Sequence, residues 1–280
     1  MLGEDEYEIP KGKIYEVFRD DMIAWTKQVR NLPHEDVSIV SEDGLTLRGK
    51  YYEYKKGAIT ELLFHGYHGS AERDLSGGIE RCFSLGRNAL IIDNRGSGRS
   101  DGSVVTFGVK EMRDVLKWID FAISHFGNDV RLVLTGVSMG AATVLMAAGE
   151  KLPENVVCVL ADCPYSSQKD IIKKVIRDMK LPASLLYPFV KLGARIFGGF
   201  NLEENTPMEA MTRASVPIIF IHGDTDAFVP DGMSDVLFEA CTSKHKKIVK
   251  IAGAGHGLAF PVGRGDYVNA LAEFEKVWNS

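Results

Sequence analysis

From residue 60 onward the chain alternates short, continuously apolar runs with segments of helical periodicity. The runs are TELLFHG (60–66), ALIIDNR (89–95), RLVLTG (131–136), VVCVLADC (156–163), VPIIFIHG (216–223) and KIVKIAG (247–253). A strand that is apolar on both faces must be covered on both, as in a parallel sheet wrapped by helices. Between the runs lie KEMRDVLKWIDFAISHF, AATVLMAAGEKL and GMSDVLFEACTSK, and the chain closes on DYVNALAEFEKVW. Met112, Val115, Leu116 and Ile119 recur at helical spacing, as do Val268, Leu271, Phe274 and Val277. Such alternation predicts a doubly wound α/β fold. Upstream, SIVSEDGLTLRGKYYEY alternates apolar and polar residues around Glu42-Asp43-Gly44. This is a hairpin pattern in which Gly44 supplies the positive φ of the turn, and it makes the sheet mixed.

The spacing of the runs divides the chain. Residues 1–36 read as an acidic lead-in with a helix over VFRDDMIAWTKQV. Residues 37–167 and 207–280 form the α/β core, and 168–206 form an insertion. The insertion holds DIIKKVIRDMK and then LPASLLYPFVKLGARIFGGF, rich in Leu185, Leu186, Phe189, Val190, Leu192, Ile196 and Phe197. Inserted at this point it sits above the strand ends, where open α/β sheets bind ligands. It is expected to be a small helical cap whose apolar residues line an acyl or aryl pocket. The same apolar content suggests a homodimer formed through the cap.

Composition removes several function classes. The 280 residues are 45% hydrophobic and 25% charged, with a formal net charge of −5. Nucleic-acid binding needs a concentrated basic surface, and the basic cluster of 170–180 is interrupted by Asp170 and Asp178, as on a solvated helix face. Cys82, Cys158, Cys163 and Cys241 form no C-x-x-C pair and no zinc spacing, so they read as reduced thiols. The opening MLGEDEYEIPKGK lacks the apolar core of a signal peptide, and no apolar run is long enough to span a membrane. The expectation is a cytoplasmic protein with no cofactor, no metal and no nucleic-acid partner.

GVSMG (136–140) interrupts the apolar run RLVLTGVSMGAATVLMAAGEKL. It fits G-x-S-x-G with a strand before and a helix after, the context of a nucleophile elbow. The alternative is a serine that caps the helix. A serine hydroxyl needs a base to take its proton, and His256 in IAGAGHGLAF follows the last strand within a glycine-rich loop. His65 and His222 also end strands but read as structural, and His68 as a loop or pocket-wall residue. The base needs an acid. HGDTDAFVPDG (222–232) offers Asp226 first and Asp224 second, with Asp162 a further alternative. The chain order Ser138, Asp226, His256 suits this architecture. Oxyanion donors are expected from the backbone N–H groups of Met139 and of Tyr67 in HGYHGS. After Gly96-x-Gly98 in LIIDNRGSGRSDG the third glycine, Gly102, comes one place too late for a dinucleotide site and no helix pattern follows directly, so the stretch reads as a structural turn.

Together, HGYHG, DNRGSGRSDG, GVSMG, HGDTDAFVP and GAGHG resemble the α/β-hydrolase superfamily over about residues 37–280. GVSMGAATVLMAAGEKLPENV and ADCPYSS are similar to a bacterial group of serine hydrolases related to cinnamoyl and feruloyl esterases, and distantly to prolyl oligopeptidase-type peptidases. The resemblance implies a mostly parallel eight-stranded sheet, a Ser138–Asp226–His256 triad and an oxyanion hole from Tyr67 and Met139. It implies a serine hydrolase that cleaves a small carboxylic ester through an acyl-enzyme. Peptidase, thioesterase and acyltransferase chemistry share the triad, and a non-catalytic binder is the alternative outside catalysis. Ser97 departs from the pattern, since many relatives carry histidine there. The lead-in before residue 37 lies outside the resemblance.

Overall fold

A computed structural model describes residues 9–10 and 12–278; the acidic opening MLGEDEYE lies outside the described residues. In chain order the elements are α1 (Lys13–Glu16), α2 (Arg19–Asn31), β1 (Glu35–Val40), β2 (Thr46–Tyr52), β3 (Thr60–Phe64), α3 (Ala71–Ser84), β4 (Asn88–Ile92), α4 (Glu111–Phe126), β5 (Leu132–Val137) and α5 (Met139–Ala148). They continue with β6 (Val156–Asp162), α6 (Gln168–Asp178), α7 (Ala183–Phe197), α8 (Pro207–Met211), β7 (Ile218–Gly223), α9 (Gly232–Ala240), β8 (Lys246–Ile251), α10 (Ala259–Val262) and α11 (Arg264–Trp278).

The strands form one eight-stranded sheet in the order β1-β2-β4-β3-β5-β6-β7-β8. The hairpin β1–β2 joins it antiparallel through β4, and every other pair is parallel. Gly44 closes the hairpin at φ 85°, and the Leu45 N–H donates to Ser41 Oγ at 2.9 Å. This is the α/β-hydrolase fold, and its sheet carries the six runs read from the sequence. One sheet face packs Leu62, Phe64, Leu134, Val159 and Phe220 against α4 and α5, with Trp118 and Val115 at the centre. The other packs Leu63, Ile91, Val133, Leu160 and Ile221 against α3, α10 and α11.

Helix α3 was not among the helical patterns read from the sequence. Its buried Ala71, Leu75, Ile79 and Cys82 have helical spacing, but Gly77 and Gly78 sit in its middle, where each costs about 1 kcal/mol relative to alanine. Tertiary packing explains them. A Cβ at Gly77 would lie 2.9 Å from the Trp25 ring, and one at Gly78 would lie 2.7 Å from Leu63 Cδ2. The two glycines let α2 and the sheet both approach α3 closely. Ser70 caps the helix by accepting the Arg73 N–H.

The insertion folds as α6 and α7. Helix α6 is amphipathic and buries Ile171, Ile172 and Ile176, as its interrupted basic pattern suggested. Together with Tyr187 these residues cover Met139, Ala142 and Val109. The rest of α7 behaves otherwise. Leu185, Phe189, Leu192 and Ile196 face solvent, and Phe197 is 86% exposed. This is the face on which the sequence places self-association. Among the described residues no helix is long and apolar enough to cross a membrane, and all four cysteines are free and buried.

On the α3 face of the sheet the strand interiors contain polar exceptions. Glu61 on β3 is fully buried and accepts from Arg87 Nη1 at 2.6 Å, from Thr135 Oγ1 at 2.9 Å and from Arg81 Nη2. Arg87 also donates to Glu275 of α11 at 2.5 Å. The network ties sheet, α3 and α11 together. Burial raises the Glu61 carboxyl, but the two guanidinium groups outweigh it and hold it at about 2 against 4.5.

Replacing Glu61 by glutamine leaves Arg81 buried without its counter-charge and Arg87 with Glu275 alone. The expected loss is about 3–5 kcal/mol of unfolding free energy, read by urea denaturation at neutral pH. The folded carboxyl lies below its unfolded value, so its stabilisation is complete above about pH 4.5 and is lost as pH falls toward 2. The Gln variant should lack that acid-side component.

Candidate active site

Ser138 sits between β5 and α5 at φ 56° and ψ −115°. A non-glycine residue with positive φ is uncommon, and such backbone typically costs about 1–3 kcal/mol, held by its surroundings. The surroundings are specific. A Cβ at Gly136 would lie 2.2 Å from the Gly140 carbonyl group, and one at Gly140 would lie 2.1 Å from the Phe64 oxygen. Only glycine at both positions lets α5 turn back this tightly against β5 and β3. The Ser138 N–H donates to the Asp162 carbonyl at 2.8 Å. Its side chain makes no capping hydrogen bond to α5. The hydroxyl instead meets His256 Nε2 at 2.9 Å.

His256 stands on the loop after β8, between Gly253 at φ 73° and Gly257 at φ 66°. Its Nδ1 lies 2.7 Å from Asp226 Oδ2. That contact places the proton on Nδ1 and turns the Nε2 lone pair toward Ser138. Asp226 is buried on the loop after β7. Its Oδ1 accepts the Phe228 and Val229 N–H groups at 2.9 and 2.8 Å. Its Oδ2 is also 3.3 Å from His222 Nε2. Burial raises the Asp226 carboxyl, but the hydrogen bonds from His222 and His256 prevail and hold it well below the usual range. It is therefore ionised throughout the neutral range.

The other candidate acids have different work. Asp224 accepts the Gly253 N–H at 2.7 Å and so laces the aspartate loop to the histidine loop. Asp162 accepts from the Tyr267 hydroxyl at 2.9 Å. His65 is buried, with Nδ1 2.7 Å from the Gly66 oxygen and Nε2 accepting the Asn94 N–H at 3.0 Å. His222 is buried as the sequence reading had it, but it also holds Asp226. The DNRGSGRSDG segment is a turn with Gly96 at φ 67° and Gly98 at φ 53°.

The expected amide donors belong to residues beside Ser138: Met139 follows it, and Gly66, which precedes Tyr67, lies against it. Met139 opens α5, so its N–H has no acceptor within the helix, and the helix dipole is positive at that end. Tyr67 follows Gly66 in a turn closed by the Gly69 N–H on the Gly66 oxygen at 3.2 Å, with His68 at φ 52°. The Tyr67 ring stacks on Phe107 at 5.0 Å. Sγ of Cys163 and the ligand atoms of Asp226 and His256 lie within 4.8 Å of one another. Burial pushes the Cys163 thiol well up, and the other two groups already engage each other, so this is a poor metal set.

A cavity of about 240 Å³ opens beside Ser138. Gly66, Tyr67, His256 and Gly257 edge it, and Met22, Trp25, Leu63, Leu75, Val137, Phe260 and Pro261 wall it. The expectation that the insertion's apolar residues line the pocket is corrected here. None of Leu185, Leu186, Phe189, Val190, Leu192, Ile196 or Phe197 lines this cavity. The roof comes from the N-terminal helices: Tyr15 lines the cavity and donates its hydroxyl to the His256 carbonyl at 3.1 Å. Met22 and Trp25 pack with Leu258 and Phe260. The sequence carried a signal for this. Met22, Trp25, Thr26 and Val29 form a buried stripe at helical spacing, which marks a helix that packs on something without saying what.

A family model described as alpha/beta hydrolase fold matches residues 62–199, and one described as Serine hydrolase (FSH1) matches 190–258. The uncharacterized protein YqkD of Bacillus subtilis is 27% identical over 192 residues, 68% of this chain and 62% of its own length. Protein bem46 of Schizosaccharomyces pombe is 26% identical over 224 residues, 78% of this chain and 69% of its own. The Pyrococcus furiosus esterase Pf2001 superposes with a TM-score of 0.73 at 23% identity, covering 91% of this chain and 96% of that one. Est1E of Butyrivibrio proteoclasticus, solved with ferulic acid bound, superposes at 0.64 with 19% identity, over 86% and 98%. At these identities the solved structures speak to the fold.

The two loop aspartates separate in a labelling experiment. Asp226→Asn should slow fluorophosphonate labelling of Ser138 by about 10³-fold or more, because the imidazole loses its tautomer and its counter-charge. Asp224→Asn, which loosens only the loop lacing, should slow it by less than about tenfold. Comparable losses in both would reject Asp226 as the acid.

Proposed function

Because the chain has the α/β-hydrolase fold and matches family models of the alpha/beta hydrolase fold and of a serine hydrolase, we propose that it hydrolyses small carboxylic esters through an acyl-enzyme. The observation that carries this is the line from Ser138 Oγ to His256 Nε2 at 2.9 Å and from His256 Nδ1 to Asp226 at 2.7 Å. In this reading Ser138 attacks the ester carbonyl while His256 takes its proton. The oxyanion forms against the Tyr67 and Met139 amides, with the positive end of α5 behind it. His256 then protonates the departing alcohol. Water, deprotonated by His256, releases the acid and restores the hydroxyl. Asp226 stays ionised and stabilises the imidazolium.

Support for an ester with a modest acyl group comes from the cavity under α2, which is walled largely by carbon and opens at the nucleophile. Thioesters and amides would meet the same triad. The esterase neighbours and the apolar wall favour the oxygen ester. The residues of the site perform this reaction by acid–base and electrostatic means, and no cofactor is called for.

Ser138→Ala should lower kcat for p-nitrophenyl esters by about 10⁴-fold or more, and survival of near wild-type turnover would reject the assignment. Trp25→Ala should move the preferred acyl length upward in the same series, since the indole forms part of the cavity roof. An unchanged length profile would place the acyl chain elsewhere.

A further inference from the structure

The polar exceptions in the apolar strands reach the cavity. Thr135 lies three residues before Ser138 on β5, and Asp162 pairs with Val137 across β5 and β6. Both line the cavity, together with Arg81 from the last turn of α3 and Tyr267 from α11. Strand alternation puts Glu61, Thr135 and Asp162 on the same sheet face. The cavity is thus walled by carbon along α2 and by a polar cluster against the sheet.

Each charged member of the cluster has one end anchored and one end left over. Arg81 gives Nη2 to Glu61, while its Nε has no hydrogen-bond partner. Asp162 receives the Tyr267 hydroxyl on Oδ2, while its Oδ1 has no partner. Arg81 is 3% exposed and Asp162 5%. Both flank the same tyrosine, with the Arg81 guanidinium 5.8 Å from the Tyr267 ring centroid. A buried donor or acceptor without a partner is costly, and native proteins rarely leave one without a reason.

We infer that this cluster is a subsite for a hydroxyl group on the acyl chain. The inference rests on the ester-hydrolase reading above. A hydroxyl gives one hydrogen bond and accepts one: it donates to Asp162 Oδ1 and accepts from Arg81 Nε–H. A plain alkyl end would satisfy neither group. A carboxylate would meet Asp162, and an ammonium would meet Arg81, each as a like charge. Burial also pushes the Asp162 carboxyl up, with Tyr267 and the neighbouring cations offsetting it only in part. A neutral polar end is the chemistry left.

The test compares methyl alkanoates with methyl ω-hydroxyalkanoates of six, eight and ten carbons, followed by pH-stat, in the wild type and in Asp162→Leu. The wild type should favour the hydroxylated ester in kcat/KM by about tenfold or more at one chain length. The ratio should collapse toward one in Asp162→Leu, and being a ratio it does not depend on how much of the variant folds. Equal or lower rates for the hydroxylated ester at every length would overturn the subsite, with the ester-hydrolase reading intact; the pair would then be satisfied by water. A preference that survives in Asp162→Leu would overturn the assignment to Asp162. Turnover of neither series by folded wild type would reject the ester-hydrolase reading and this subsite with it.

Discussion

No side chain fits at positions 136 and 140, and the geometry at Ser138 follows from that. The Phe64 carbonyl and the start of α5 occupy the space that a Cβ would need. The backbone between the two glycines is therefore forced through a tight reversal, and Ser138 takes a positive φ that nothing nearby allows it to relax. The strain is held by packing on both sides: β5 is clasped between β3 and β6, and α5 is buried along its whole length. The same reversal raises the hydroxyl above the strand ends and leaves the first amide of α5 without an acceptor. The orientation of the Ser138 hydroxyl toward His256 and the free amide at the start of α5 thus arise from one steric constraint.

The partners of Ser138 are brought to it by neighbouring strand ends. Asp226 and His256 follow β7 and β8, which pair with each other, and their loops are laced together through Asp224 and the Gly253 amide. Asp226 is held from the other side by His222 and by two backbone N–H groups. Such support holds the Asp226 carboxylate and the His256 imidazole in one fixed relation to each other.

Beneath the site the sheet face toward α3 is not a plain hydrophobic surface. Glu61 anchors two arginines, one reaching toward α11 and one toward the cavity. The network that joins sheet, α3 and α11 is therefore continuous with the wall of the cavity beside Ser138. The opposite wall is the N-terminal helix pair, through Tyr15, Met22 and Trp25. The cavity is accordingly walled by the N-terminal helices on one side and the α3 face of the sheet on the other, and not by the exposed stripe of α7.

Much of this was legible in the sequence because it depends on local order. Continuous apolar runs specify strands buried on both faces, Gly44 marks its turn, and GVSMG between a strand and a helix specifies the elbow, since its glycines answer a clash within the motif's own few residues. The order Ser138, Asp226, His256 follows from strand succession. What the sequence left open was decided by contacts between distant segments. Helix α3 was hidden because Gly77 and Gly78 lower local propensity, and only the close approach of Trp25 and Leu63 explains them. Asp226 and Asp224 are two residues apart and alike in sequence; the fold turns one toward His256 and the other toward Gly253. The apolar residues of α7 and those of α2 look equally fit to line a pocket. Which of them does so depends on which helix lies over the α3 face beside Ser138, and that is a property of tertiary packing alone.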